Sequence, residues 1–353
     1  MIFVTEATIP VSDPKATMSM FVSHLEEEHD IQAEVAEDGS KSFEQDGFSI
    51  KFKPLSQGLN VRIAGPNESV FIFFKEEIAE HVRELDPTAA ANIRWSSENS
   101  REGALPPNFK VLTVKNSFEL FNGMQRVTLV HEDVGCFASD DVHLKLMMPV
   151  DPARTAVWPT MAANGAPVWP GGVDKLHARF ITLRHVRTQD GEVDIDIARH
   201  NNGLISNWAC RAMPGQKVGV MGPAGAAVLR HSDNVFLAAD GTGMAAVARL
   251  LESAHPNANG DVVVAAPGDY DISEYFPQTR FNLHSIAPEQ FEKRILEMAQ
   301  QLTASGKTSY AFFAGEFQNA QDMRKLFKSR LGLDKSSQMS VAYWRRGVPG
   351  HGS

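Results

Sequence analysis

Residues 234–252 read NVFLAADGTGMAAVARLLE. Asn234–Ala239 has the β-branched and aromatic content of a buried strand. Beyond it Met244, Val247 and Leu250/Leu251 recur at helical spacing. Between them lies Gly241-Thr242-Gly243-Met244-Ala245-Ala246, a G-x-G-x-x-A turn. Glycines let such a turn run close to a ligand, and the helix N-terminus behind it offers N–H groups to a phosphate. A strand–turn–helix of this kind is also common without a nucleotide, so the rest of the chain must decide.

Downstream the pattern stays βαβ. Asp261–Ala266 is a nearly continuous apolar run, as a buried parallel strand should be. Phe281–Ile286, Ser309–Ala314 and Met339–Trp344 read as further strands, and 244–254, Gln290–Ser305 and Ala320–Leu331 as helices. The expectation is a doubly wound parallel sheet over 231–347, followed by a tail, 348–353.

Upstream, over 108–230, short strands dominate: Phe109–Val114, Met124–His131, Val142–Met148, Ala178–Val186 and Val193–Ala198. They predict a closed or partly closed, antiparallel Greek-key β-barrel, with one helix near Leu204–Met213 and one long Trp-, Pro- and Gly-containing excursion, Asp151–Lys175. Residues 1–87 read as a small α+β domain without an evident role. Its strands are Phe3–Val11, Ile31–Ala36, Phe48–Phe52 and Leu59–Gly65. A helix opened by Asp13-Pro14 runs to a solvated Glu26-Glu27-Glu28 end. A second, Ser69–Leu85, has Val70, Phe73, Phe74 and Ile78 among its apolar positions. The polar, Pro- and Ser-rich stretch 88–107 reads as a linker. The whole is a multi-domain α+β and α/β chain.

Composition narrows the function. The chain has 353 residues, 43% hydrophobic and 22% charged, with a net charge of −9, which argues against nucleic acid as a partner. Two cysteines, Cys136 and Cys210, give no thiolate cluster or disulfide framework, and no metal site is expected. No apolar run is long enough to span a membrane, and the N-terminal segment lacks a signal-peptide pattern. The expected compartment is the cytoplasm. No Ser/His/Asp or HExxH pattern appears, so no catalytic acid or base is expected.

A barrel followed by a βαβ nucleotide domain resembles the ferredoxin-reductase-like superfamily. The run from about 107 to 347 resembles its siderophore-interacting, ferric-chelate-reductase branch. The likeness is carried by Asp140-Asp141-Val142-His143-Leu144-Lys145-Leu146, by Arg179-Phe180-Ile181-Thr182-Leu183-Arg184, and by His200-Asn201-Asn202-Gly203-Leu204-Ile205-Ser206-Asn207-Trp208-Ala209. Pro214-Gly215, Gly222-Pro223, Gly315-Glu316 and Ala342-Tyr343-Trp344-Arg345-Arg346-Gly347 complete it.

The resemblance implies FAD, held by Arg179, Phe180, Ile181, Thr182, His200, Gly203, Ile205, Ser206 and Asn207. A guanidinium at Arg179 suits a pyrophosphate, and the start of the helix at Leu204 suits an anion, with Ser206 directed outward. Ile181 stands where the family carries Tyr and offers no ring stacking. NADH or NADPH is implied at Asp240, Gly241, Thr242, Gly243, Met244, Asp269, Gly315 and Glu316. The carboxylate of Asp269 favours NADH, while Arg280 keeps NADPH open.

The expected substrate is a ferric siderophore, with Lys145, His143, Lys335 and Arg345 as its binding residues. The family's further basic position falls on Ala224. The expected activity is electron transfer from NAD(P)H through FAD, releasing iron as Fe(II). Two alternatives stand beside it: a general flavin or ferredoxin-linked reductase, and a siderophore-binding protein without catalysis.

Overall fold

The computed structural model describes residues 2–29, 32–45, 47–66, 69–96, 102–200, 203–226, 229, 233–276 and 279–348. The side chains of Glu27, Glu28, Val70, Phe73 and Ala224 lie outside that set, as do residues 31, 97–101, 201, 202, 231 and 349–353, all read above. The chain divides into two units. One is Met1–Phe109 with Asp151–Leu176, the other Lys110–Val150 with His177–Ser353.

In the first unit the order is β1 (Phe3–Ile9), α1 (Pro14–His29), β2 (Glu34–Val35), β3 (Lys41–Gln45), β4 (Phe48–Leu55), β5 (Gly58–Gly65), α2 (Ser69–Leu85) and α3 (Pro87–Ala91). The strands form one antiparallel sheet, ordered β1-β5-β4-β3-β2. Alternation sends Leu59, Val61 and Ile63 of β5 and Ile50 and Phe52 of β4 to one face, where Phe21, Val22, Ile78 and Val82 of the two long helices cover them. Phe21 and Phe52 stack with ring centroids 5.4 Å apart.

The expected linker is not one through residue 96. Asp86 caps α3 by accepting from Thr88 N and Ala89 N, with Pro87 in the first turn, the same signal that opens α1. Ile93 and Trp95 are core residues. Trp95 bridges to Ala7 and Ser96 N donates to Glu6 O, which covers the β1 edge. Ile93→Ala should therefore cost about 2–5 kcal/mol in urea unfolding. A change within about 0.5 kcal/mol, as for a surface site, would return 88–96 to linker status.

The second unit continues with β6 (Phe109–Phe121), β7 (Met124–Val130) and β8 (Asp141–Pro149). The excursion's β9 (Thr160–Met161) and β10 (Pro167–Val168) follow, then β11 (Leu176–Arg187), β12 (Glu192–Ala198), α4 (Leu204–Arg211) and β13 (Lys217–Ala226). A closed barrel runs β11-β12-β7-β6-β13-β8, filled by Leu112, Leu129, Leu146, Leu183, Ile195 and Val220.

The excursion belongs elsewhere. Met161 N donates to Ala104 O, Asn164 Nδ2 donates to Ala90 O, Ala166 enters the first core, and Trp169 Nε1 donates to Glu76. The expected continuous barrel domain, 108–230, is thus interrupted by a piece of the first unit.

The chain ends with β14 (Val235–Ala239), α5 (Met244–Glu252), β15 (Gly260–Ala265), β16 (Asn282–Ile286), α6 (Pro288–Leu302), β17 (Tyr310–Glu316), α7 (Phe317–Ser329) and β18 (Gln338–Trp344). These strands form a parallel sheet, ordered β16-β15-β14-β17-β18. None of the described helices is long and apolar enough to cross a membrane.

Candidate functional site

Strand order fixes the crevice. β14 lies between β15 and β17, so the order of the sheet reverses between β14 and β17. Ligands of open α/β sheets bind there, beyond the carboxyl ends of the strands. The Gly241–Gly243 turn leaves β14 at that point, and Gly315 lies beside it near the end of β17.

Both turns are packed to the limit. A Cβ on Gly243 would stand 2.7 Å from Ala314 O and 2.9 Å from Ala239 Cβ, and one on Gly315 would stand 2.7 Å from Asp240 Oδ2. Asp240 organises the turn: its Oδ1 accepts from Thr242 N at 2.8 Å and Thr242 Oγ1 at 2.6 Å, and its Oδ2 accepts from Trp344 Nε1 at 2.7 Å. Burial pushes its carboxyl above the ordinary range. A Cβ on Gly241 would lie 3.6 Å from Ala198 Cβ, so the turn abuts the strand that leads to His200.

On the barrel, β11 carries Arg179 to Arg184. Arg179 is half-buried, donates to Ala178 O at 2.6 Å, and has no ion-pair partner among the described residues; burial draws its guanidinium below its ordinary value. Phe180 is 42% exposed, with Lys145 Nζ 5.4 Å from its ring centroid. Ile181 packs against the barrel core, so the exposed aromatic of this segment is its neighbour. Thr182 is buried, its Oγ1 3.3 Å from His143 Nδ1. On the other side of that imidazole, Tyr343 OH lies 3.3 Å from Nε2.

At α4, Gly203 is the N-cap, without a side-chain cap. A Cβ there would stand 2.2 Å from His200 Cε1, so only glycine lets that ring lie over the helix start. A dinucleotide needs donors for its pyrophosphate and an apolar-flanked edge for its ring. Arg179, without an ion-pair partner among the described residues, the first turn of α4 without a side-chain cap, and exposed Phe180 beside Thr182 fit FAD on those terms.

Several expected site residues have other roles. Ser206 does not point outward: its hydroxyl accepts from His200 N and donates to His200 O. Ile205 lies in the barrel core and Met244 in that of the parallel sheet. Asn207 is exposed, its N–H donating to Gly203 O. Glu316 is buried and caps α7, accepting from Gln318 N and Asn319 N, while its other oxygen accepts from Arg346 N. Its carboxylate is spent on the fold. Asp269 stands exposed after β15, without a side-chain hydrogen bond among the described residues. Lys335 is exposed in the turn before β18, and Arg345 sits 4.5 Å above the Phe317 ring; both belong to the parallel-sheet half, whereas Lys145 belongs to the barrel.

His143 differs most from its expected role as a basic residue. Burial pulls it down to about 4, so at neutral pH it is an uncharged hydrogen-bonding ring between Thr182 and Tyr343. The unfolded chain takes up that proton near pH 6.5 and the folded chain only near 4. Between those values the unfolded state binds more protons, so stability falls as pH falls through the window. Thermal melts should be level above pH 7 and drop toward pH 4, with a shallower drop in His143→Gln. Identical slopes would remove His143 as the cause.

Sequence reasoning assigned nothing to Tyr343 or Trp344, although both lie in the quoted C-terminal motif. It also missed buried Arg184, which donates to Glu252 and Tyr275 O, and Tyr275, whose OH donates to Asp196 at 2.7 Å. These tie the barrel to the parallel sheet.

A family model described as the siderophore-interacting FAD-binding domain matches residues 113–227, and one described as siderophore-interacting protein matches 232–347. Ferric vibriobactin reductase ViuB of Vibrio cholerae is 27% identical over 232 residues, 63% of this chain and 84% of that protein. The NADPH-dependent ferric-chelate reductase of Escherichia coli is 29% identical over 247 residues, 67% and 92% of the two chains. The siderophore-interacting protein SipS of Aeromonas hydrophila superposes with a TM-score of 0.57 at 24% identity, covering 68% of this chain and 93% of that one. A siderophore utilization protein from T. fusca gives 0.57 at 24%, covering 71% and 97%. These two structures share the fold.

Proposed function

Because the chain belongs to the siderophore-interacting protein family, we propose that it is an FAD-dependent oxidoreductase that passes electrons from NAD(P)H to a ferric siderophore and releases iron as Fe(II). The observation that carries this reading is the meeting of Thr182, His143 and Tyr343, where the barrel strand of the flavin motif reaches the last strand of the nucleotide domain.

Bound FAD would supply the chemistry that matches a two-electron nicotinamide donor to a one-electron ferric acceptor. The chain's residues hold and screen. Arg179 would hold the pyrophosphate through its paired N–H groups, with the N–H groups at the start of α4 beside it. Phe180 and Ile181 would shield the flavin from water, and Thr182 would offer it a hydroxyl. His143, kept neutral, orients that hydroxyl without adding charge. Lys145, over the exposed Phe180 ring, draws an anionic chelate to the outer face. Transfer to the chelate needs proximity rather than an acid or base.

The donor is left as NAD(P)H. The preference for NADH drawn from Asp269 finds no support: that carboxylate stands exposed without a described partner, and the relative from E. coli is NADPH-dependent by name. We assign the reaction to the cytoplasm, where reduced nicotinamide is available.

The test is the visible spectrum of the FAD-loaded protein under anaerobic conditions. NADH or NADPH should bleach the flavin band, and a ferric siderophore should restore it while Fe(II) appears in a chelator assay. A band that stays bleached beside excess ferric siderophore would remove the substrate. Failure to bind added FAD would leave the binding-protein alternative.

A further inference from the structure

The two long helices of the first unit do not meet through apolar residues alone. Glu77 and His81 lie one turn apart on α2, on one face, and His24 of α1 comes against them. The His24 and His81 rings have centroids 4.3 Å apart. His24 Nε2 is 3.7 Å and His81 Nδ1 is 4.0 Å from Glu77 Oε2, longer than direct hydrogen bonds. Each of the three residues offers a ligand atom, all within 4.8 Å of one another. They are the polar lining of a cleft walled by Phe21, Leu25, Ile50, Phe52, Phe74 and Ile78. The side chains remain 26%, 40% and 19% exposed for His24, Glu77 and His81, so a small ion can reach them.

His81 Nδ1 lies 2.9 Å from Glu77 O. A carbonyl oxygen only accepts, so the proton sits on Nδ1 and the neutral ring presents the Nε2 lone pair. Ligating histidines are commonly held in this way. Two imidazoles and one carboxylate form a donor set for divalent first-row metals that leaves positions open. Ligand atoms about 2.0–2.2 Å from an ion stand about 3–3.5 Å apart, closer than the 4.8 Å within which the three candidate atoms lie, so the side chains must draw together around the ion.

We propose that His24, Glu77 and His81 form a binding site for one divalent first-row transition-metal ion, Fe(II) among them. This stands independently of the flavin reaction. One consequence does rest on the reductase reading: the first unit would then hold the ion that the same chain releases from the chelate.

The test is equilibrium dialysis of the full-length, FAD-loaded chain, stripped with a chelator, against Co(II) and Zn(II), with metal content measured by atomic emission. The wild type should bind one equivalent. Glu77→Gln, His81→Gln and His24→Ala should each weaken binding at least tenfold. FAD content, read from the visible band, should be unchanged, which separates this site from the flavin site. Should His24→Ala unfold, the two near-isosteric variants decide. The proposal is overturned if the wild type retains no metal, or if Glu77→Gln and His81→Gln bind as it does.

Discussion

Arg179→Ala should weaken FAD binding about 100-fold, some 2.7 kcal/mol, and leave the fold in place. The guanidinium is half-buried, has no ion-pair partner among the described residues, and spends one described donor on its own strand, at Ala178 O. Burial already disfavours its charge. A cation kept in that setting without a counter-charge is ready for an anion from outside the chain. Charge-assisted hydrogen bonds contribute about 1.5–3 kcal/mol each, and the planar fork of arginine suits two oxygens at once. Arg179→Lys keeps the charge and loses the fork, and should fall between the two. Titration with FAD, followed by flavin fluorescence, gives the dissociation constants, and thermal unfolding checks the fold. Equal affinity in wild type and Arg179→Ala would remove this residue from the flavin site.

Gly243→Val should nearly abolish flavin reduction by NADH and NADPH, by at least about 100-fold, while FAD itself still binds. The first β-carbon would already stand 2.7 Å from Ala314 O and Ala314 Cβ and 2.9 Å from Ala239 Cβ. Those atoms belong to β17 and β14, paired in register from Val235↔Tyr310 to Ala239↔Ala314, so the strands cannot move aside. The start of α5 must move instead, at a cost of about 3 kcal/mol for overpacking. That displaces the N–H groups and the turn held by Asp240. Arg179 and α4 lie outside that clash, so flavin binding survives. Anaerobic stopped-flow traces of the flavin band measure the loss. An unchanged reduction rate would mean that the nicotinamide dinucleotide does not use the crevice between β14 and β17.

Much of this was legible in the residues. The apolar run Asn234–Ala239 and the spacing from Met244 locate β14 and α5, and the alternating runs after Phe109 give barrel strands. What escaped depends on partners remote in sequence. Asp86-Pro87 opens a helix as Asp13-Pro14 does, but its surroundings are polar, and only Ala7 and Glu6 of β1 reveal why Trp95 and Ser96 are folded. Lys41–Gln45 is strand because β4 lies beside it, not because of its own content. Val218-Gly219-Val220 is a short apolar run bounded by Pro214-Gly215 and Gly222-Pro223, yet β13 continues through Gly222-Pro223 to Ala226. Glu316 and Ser206 carry the right chemistry for a ligand, but their atoms are committed to Gln318, Arg346 and His200. The role of Tyr343 follows from His143, 200 residues earlier.

The excursion that joins β8 to β11 has a consequence for how the chain is made. Residues 151–176 complete the first unit, but the ribosome delivers them only after three barrel strands. The N-terminal unit therefore cannot finish folding as its own residues emerge. Nascent chain that has passed Phe109 still lacks Asn164, Ala166 and Trp169, and must keep α2 and α3 partly uncovered while β6, β7 and β8 are synthesised. The two units share a maturation step, and truncation at the apparent boundary near 107 would strand a fragment of one inside the other. A separable first unit would have to be assembled from two pieces of the gene.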